Sequence, residues 1–122
     1  MTAALQEAPA AIESVRAFLQ SGRSQLRTDF FSSPRPSRLL TAHARLIDRT
    51  LGSLWANAGM PKEAALVAVG GYGRSEMFPY SDIDILILID GEPVQGERER
   101  LEALVGSFWD LGLDVGHSVR TI

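Results

Sequence analysis

The order of hydrophobic patterns predicts a mixed α/β or α+β layer arrangement: helices, a strand, a glycine turn, a second strand, a helix and a third strand. Three observations carry this. Apolar residues recur at helical spacing over 38–58 and again over 95–111. Two aliphatic runs, 65–69 and 83–89, are too short for typical helices and are bounded by glycine, proline and aspartate. A third run rich in β-formers, 113–121, follows the last helical pattern. A chain of 122 residues has room for one domain with a core and for no second catalytic domain. A composition 45% hydrophobic and 22% charged is that of a folded globular chain.

Taken in order, residues 10–21 place Ala11, Ile12, Val15, Phe18 and Leu19 at helical spacing, and Gly22 is the expected stop. Residues 30–37, FFSSPRPS, read as a loop, with Ser37 as N-cap of the next helix. From 38 to 58 the stripe Leu39, Leu40, His43, Leu46, Ile47, Leu51, Leu54 and Trp55 makes the longest helix, stopped by Gly59 and Pro61. The runs 65–69 and 83–89 read as buried strands. In 95–111 the residues Leu101, Leu104, Val105, Phe108 and Trp109 share one face, and the run Glu97 to Arg100 forms a solvated first turn. In the last strand Gly116 signals a bulge or a close backbone approach. The expected divisions are 1–22, a helical segment; 23–60, a helical region; and 61–122, the core that carries the chemistry.

Several classes are excluded or disfavoured. Cysteine is absent, so no disulfide framework, thiolate metal site or thiol nucleophile is available. No apolar run reaches a membrane span, and the first residues lack the pattern of a signal peptide, so the expectation is a cytoplasmic protein without membrane contact. A net charge of −3 argues against a nucleic-acid partner. Arginines at 23, 27, 35, 38, 45 and 49 outnumber Asp29 and Asp48 locally, which at helical spacing reads as a solvated face.

The chemistry lies in VAVGGYGRSEMFPYSDIDIL, residues 67–86. Asp82 and Asp84 are separated by one residue at the head of a strand, so both side chains project from one face. Two adjacent carboxylates repel unless a cation lies between them, and Mg2+ takes oxygen ligands of this kind together with substrate phosphates. Aspartate is also a common turn residue before strands, which could explain Asp82 alone. Asp84 lies inside the aliphatic run, where an ionised carboxylate is costly to bury without a partner. Gly70, Gly71 and Gly73 follow the first strand directly and let backbone N–H groups approach a phosphate. Neither the P-loop, which needs a lysine, nor the dinucleotide fingerprint fits GGYGRSE.

The combination of Gly-Gly after a strand, a ten-residue spacer from Tyr72 to Ser81, and Asp-x-Asp opening an aliphatic strand resembles the DNA polymerase beta-type nucleotidyltransferase superfamily. More narrowly, GGYGRSEMFPYSDIDILIL and FWDLGLDVGHSVRT, residues 108–121, are similar to blocks of the PII uridylyltransferase/uridylyl-removing enzymes. Ser75 departs from that pattern, which has glycine there. The resemblance implies an α+β nucleotidyltransferase core, a mixed sheet with helices packed on it, incomplete at its C-terminus. It implies transfer of UMP from UTP to a tyrosine of a PII signal protein, with Mg2+ as cofactor. Asp82 and Asp84 are the implied catalytic and metal-binding residues, and a third carboxylate on a neighbouring strand would be Asp114. Gly70, Gly71, Gly73, Arg74 and Ser81 are the implied nucleotide-binding residues. From the residues alone, Arg74 suits either a triphosphate or a capped turn, and Ser81 either a phosphate or the start of a strand. Glu76 suits a bond within the turn or solvent. His117 is a lone strand histidine, more often structural, that the resemblance would let line the pocket. A nucleotidyltransferase with another acceptor or nucleotide, or an inactive fragment that binds nucleotide or a partner, remain the alternative readings.

Overall fold

A computed structural model describes residues 2–73 and 83–121, with side chains from residue 12 onward except those of 71 and 72. The element order is α1 (Thr2–Ser32), α2 (Pro36–Ala58), β1 (Ala65–Ala68), α3 (Gly70–Gly73), β2 (Ile83–Ile89), α4 (Gln95–Asp110) and β3 (Val115–Thr121). The strands form one mixed sheet in the order β1-β2-β3. β1 runs antiparallel to β2, and β3 runs parallel to β2 after the crossover through α4. This is an α+β arrangement.

The core sits between one face of the sheet and the helices. Ile83, Ile85, Ile87 and Ile89 of β2 are all buried and meet Val15 and Leu19 of α1, Leu46, Ile47, Leu51 and Leu54 of α2, and Leu104 and Phe108 of α4. Each aliphatic side chain so buried contributes about 1.5–3 kcal/mol. The alternate residues Asp84, Leu86 and Leu88 project from the other face, where Asp84 is exposed and the leucines are half-buried. A continuous aliphatic run usually marks a strand covered on both faces. Here only its odd-numbered positions are fully covered, so Asp84 escapes the burial cost that its sequence position suggests.

The first helix differs from expectation. α1 does not stop at Gly22 but runs on to Ser32, across the expected 22/23 division. Gly22 is a contact residue: a β-carbon there would collide with a Leu46 methyl, so the missing side chain sets how closely α1 approaches α2. The expected loop at 30–37 shrinks accordingly to residues 33–35. Ser37 is not the N-cap of α2. Arg35 occupies that position with extended backbone (φ −134°, ψ 95°), and Pro36 follows as the first helical residue, where its missing N–H costs nothing. Gly59 ends α2 as expected, in the left-handed conformation at φ 65°.

β1, expected to be a buried strand, is an edge strand exposed at Ala65, Val67 and Ala68, with only Leu66 half-buried. Trp109 is a further departure. It is 80% exposed, whereas Leu104 and Phe108 on the same helix are buried. The covered part of α4 is narrower than the apolar stripe in its sequence, and Trp109 lies along its margin, beside a shallow groove shared with His117 and Val119 of β3. Arg27, Arg35 and Arg38 line grooves at the α1–α2 corner with Phe30 and Leu39.

Two glycine substitutions should act in opposite directions in urea unfolding. Gly22→Val is expected to destabilise by about 1–3 kcal/mol through overpacking against Leu46. Gly52→Ala, in the interior of α2 with nothing within 4 Å of a new β-carbon, is expected to stabilise by about 0.5–1 kcal/mol.

Candidate active site

The site is built where β1 ends, β2 begins and β3 begins. Beyond β1 the chain turns at Gly70, which takes φ +62°, and Gly70–Gly73 makes a single helical turn. That turn is tied to the sheet by the Val69 N–H, which donates to the Asp84 carbonyl at 3.0 Å. It is closed by the Gly73 N–H, which donates to the Val69 carbonyl at 3.0 Å. A β-carbon on Gly73 would lie 2.9 Å from the Ala68 carbonyl oxygen, so the turn folds tightly back over the end of β1.

Asp84 stands in the middle of this arrangement. Its partner in register on β3 is Gly116; on the other side β1 ends at Ala68, which is opposite the next residue of β2, Ile85. A β-carbon on Gly70 would lie 2.9 Å from Asp84 Oδ2, and one on Gly116 would lie 3.0 Å from Asp84 Oδ1. The carboxylate thus occupies a slot walled by two backbones that both lack side chains. The close approach expected at Gly116 is this one, and it is made to a carboxylate. No cation pairs with Asp84 among the described residues. It is an exposed acceptor of hard oxygen type with close backbone on both sides.

The structure brings together Gly70, Gly71, Gly73 and Asp84. Asp114 precedes β3 at the same end of the sheet: its carbonyl accepts the Ile83 N–H at 2.9 Å, and it is two residues from Gly116. Asp82, Arg74, Ser75, Glu76 and Ser81 lie outside the described residues. Among the described residues no three histidine or acidic side chains gather closely enough to hold a metal ion. His117 is not on the active face. It pairs in register with Ile85, a core residue, and lines the groove against α4 with Leu101, Val105 and Trp109.

Two residues that sequence reasoning passed over share the face of Asp84. Ser118 is opposite Leu86, and Arg120 is opposite Leu88. In a parallel pair, residues opposite each other project to the same side. The signal was present in the even spacing of Gly116, Ser118 and Arg120, but it has no meaning until the register with Asp84 is known.

A divalent cation fits what is seen here. The carboxylate of Asp84 is exposed, oxygen donors suit Mg2+, and the absence of β-carbons at Gly70 and Gly116 leaves room beside both carboxylate oxygens. No helix of the described residues is long and apolar enough to cross a membrane.

The slot makes a prediction about coupling. Gly116→Ala in the intact chain crowds Asp84 Oδ1, whereas in an Asp84→Ala background the same change meets no carboxylate. A double-mutant cycle by urea unfolding should therefore give an interaction of about 0.5–1 kcal/mol or more; additivity within about 0.3 kcal/mol would contradict the slot.

Comparison with known proteins adds a separate line of observation. Residues 49–119 match the family described as Nucleotidyltransferase domain, a stretch that starts within α2 and takes in β1, α3, β2, α4 and β3 through Val119. The chain is 45% identical over 108 residues, 88% of its length, to a protein of Thiobacillus denitrificans named bifunctional uridylyltransferase/uridylyl-removing enzyme. It is 47% identical over 108 residues, again 88% of its length, to a protein of the same name from Cupriavidus pinatubonensis. Over its whole length, 122 residues, it is 42% identical to the Burkholderia mallei protein of that name. In these three relatives the matched stretch is 13%, 12% and 14% of the length, so the chain spans a small part of each. No solved structure matches it.

Proposed function

The chain belongs to the nucleotidyltransferase domain family, and from that premise we propose that it serves to transfer UMP from UTP to a tyrosine of a PII nitrogen-regulatory signal protein. The observation that carries the transfer chemistry is the slot around Asp84: one exposed carboxylate beside a turn in which Gly70, Gly71 and Gly73 lack β-carbons. The uridylyl group and the PII acceptor are drawn from the similarity to uridylyltransferase/uridylyl-removing enzymes.

In this reading the tyrosine oxygen attacks the α-phosphorus of UTP, the bond from that phosphorus to the bridging oxygen breaks, and pyrophosphate leaves. The acceptor proton passes to a base at the site. Asp84, with Asp82 and Asp114, would hold the Mg2+. When bound, Mg2+ would neutralise charge on the triphosphate and lower the pKa of the attacking hydroxyl. Backbone N–H groups at the start of the Gly70–Gly73 turn would take phosphate oxygens, that of Gly73 being bonded to Val69, and Arg74 and Ser81 are proposed to add side-chain donors. Asp84 is brought beside the turn by the strand that carries it, whose alternate isoleucines are buried in the core. Placement of this kind supplies much of the rate in phosphoryl and nucleotidyl transfer, where the protein contributes position and charge.

The test is calorimetric titration of UTP with Mg2+ into the chain, into Asp84→Asn and into Asp82→Asn, with ATP as competitor, followed by label transfer to a PII protein. Binding that requires the metal and both aspartates is expected, together with a loss of transfer in Asp84→Asn of about 10²–10³-fold or more. Tighter binding of ATP than UTP would point to a different nucleotidyl donor. Metal-dependent UTP binding with no labelling of PII would point to a different acceptor. A folded chain that binds neither nucleotide would remove the transfer reading altogether.

A further inference from the structure

The open face of the sheet continues past Asp84, and its composition is ordered. Counting along β2 away from the carboxylate, the next residue on that face is Leu86, flanked by Val67 of β1 and Ser118 of β3; the one after is Leu88, flanked by Ala65 and Arg120. Each step is roughly 7 Å, two residues at the rise of a strand. The face thus runs from an anionic slot, over a floor of Val67 and Leu86, to a hydroxyl and then a guanidinium on one border. Val67 is 37% exposed and Leu86 is half-buried, so the floor is accessible and apolar.

Two independent contacts fix the direction of β3. A β-carbon on Gly116 would meet Asp84 Oδ1, so position 116 faces the slot. His117 and Val119 line the groove against α4, so the odd positions face the opposite way. Ser118 and Arg120 are therefore on the slot side. Arg120 is exposed and has neither an ion pair nor a side-chain hydrogen bond among the described residues.

We infer that Ser118 and Arg120 select the base of the nucleoside triphosphate, favouring a pyrimidine edge rich in carbonyl oxygens over an adenine edge that carries an amine. The inference rests on the proposed nucleotidyl-transfer site at Asp84 and deepens it. With the phosphates at the slot and the Gly70 turn, the nucleoside lies along the face, its base over Val67 and Leu86. The two residues on the β3 border then meet the edge of that base. Arg120 offers only donors, which suit uracil carbonyls and offer nothing to an exocyclic amine. Ser118 can both donate and accept, so it can serve the ring N–H of uracil as well as a carbonyl. A base that leaves such donors unmatched loses binding, because they are desolvated without a partner.

The alternative role for Arg120 is a grip on phosphate. Its place opposite Leu88, two rows beyond the carboxylate, favours the base, since the glycine turn that suits phosphate lies at the other end of β2. The test uses the whole chain with Mg2+ and three probes: UTP, ATP and inorganic triphosphate. Each is titrated calorimetrically against the wild type, Arg120→Ala, Arg120→Gln and Asp84→Asn. Arg120 is exposed, and circular dichroism of each variant verifies that it is folded before titration.

The expected result is that the wild type binds UTP more tightly than ATP. Arg120→Ala should weaken UTP about tenfold, the loss of one charge-assisted hydrogen bond, and leave ATP and triphosphate unchanged. Arg120→Gln, which gains an acceptor, should narrow the UTP/ATP ratio. A parallel fall of all three probes in Arg120→Ala would make it a phosphate ligand and overturn the inference. So would unchanged UTP binding, while triphosphate binding that still needs Asp84 would leave the nucleotidyl-transfer reading standing. A wild-type chain that binds neither UTP nor triphosphate removes that reading and this inference with it.

Discussion

A carboxylate can stand on the middle strand of this sheet, hemmed in by backbone on both sides, only because both walls lack β-carbons. Asp84 lies between Gly70, at the end of β1, and Gly116, on β3, with less than a normal van der Waals distance available to a side chain at either position. The constraint reaches outward. Gly70 must take a left-handed φ, which turns the chain sharply off β1 into the short helical turn. Gly116 must be opposite Asp84, which sets the β2–β3 register for every residue that follows. A one-residue slip in that register would bring a histidine or a valine against the carboxylate and would reverse which β3 side chains face it.

The strand that carries Asp84 is anchored from the other side of the sheet. The four isoleucines of β2 alternate with Asp84, Leu86 and Leu88, and all four are buried beneath α1, α2 and α4. Strand β2 is therefore anchored by a large apolar interface on one face while its other face stays accessible. That division of labour suits a site in which a carboxylate must be well placed and yet reachable by a charged substrate. The close contact of α1 with α2 at Gly22 belongs to the same layer, in which Leu19 and Val15 of α1 join the buried cluster that holds the isoleucines.

Much of the fold could be read from the chain because its periodicities are clean. The aliphatic stretch at 83–89, the stripe of α2 and its glycine stop at Gly59 each follow from local rules, and each element is found where those rules place it. Misreadings came where a local signal has two physical meanings. Gly22 looks like a helix stop in sequence, but a glycine inside a helix also permits close packing, and only a partner helix decides which applies. Ser37 looks like an N-cap, but a proline one residue earlier starts the helix sooner. Trp109 fits an apolar stripe, yet it lies at the margin of the face of α4 that Leu104 and Phe108 bury.

The sequence by itself determined the family: a carboxylate on a strand after a glycine turn, in a spacing particular enough to point to a nucleotidyltransferase domain. That follows because metal-binding acids and phosphate-binding glycines must be specific residue types at specific separations along one strand and one turn, and such short-range requirements are written in the chain. Only the tertiary structure decided which residues from distant parts of the chain join Asp84. Gly116 meets it across the sheet, Ser118 and Arg120 share its face, and His117, in the same block, faces the other way. Those facts depend on the register between two strands separated by a whole helix, and no local rule sets a register that burial of the isoleucines and the two glycine walls together impose.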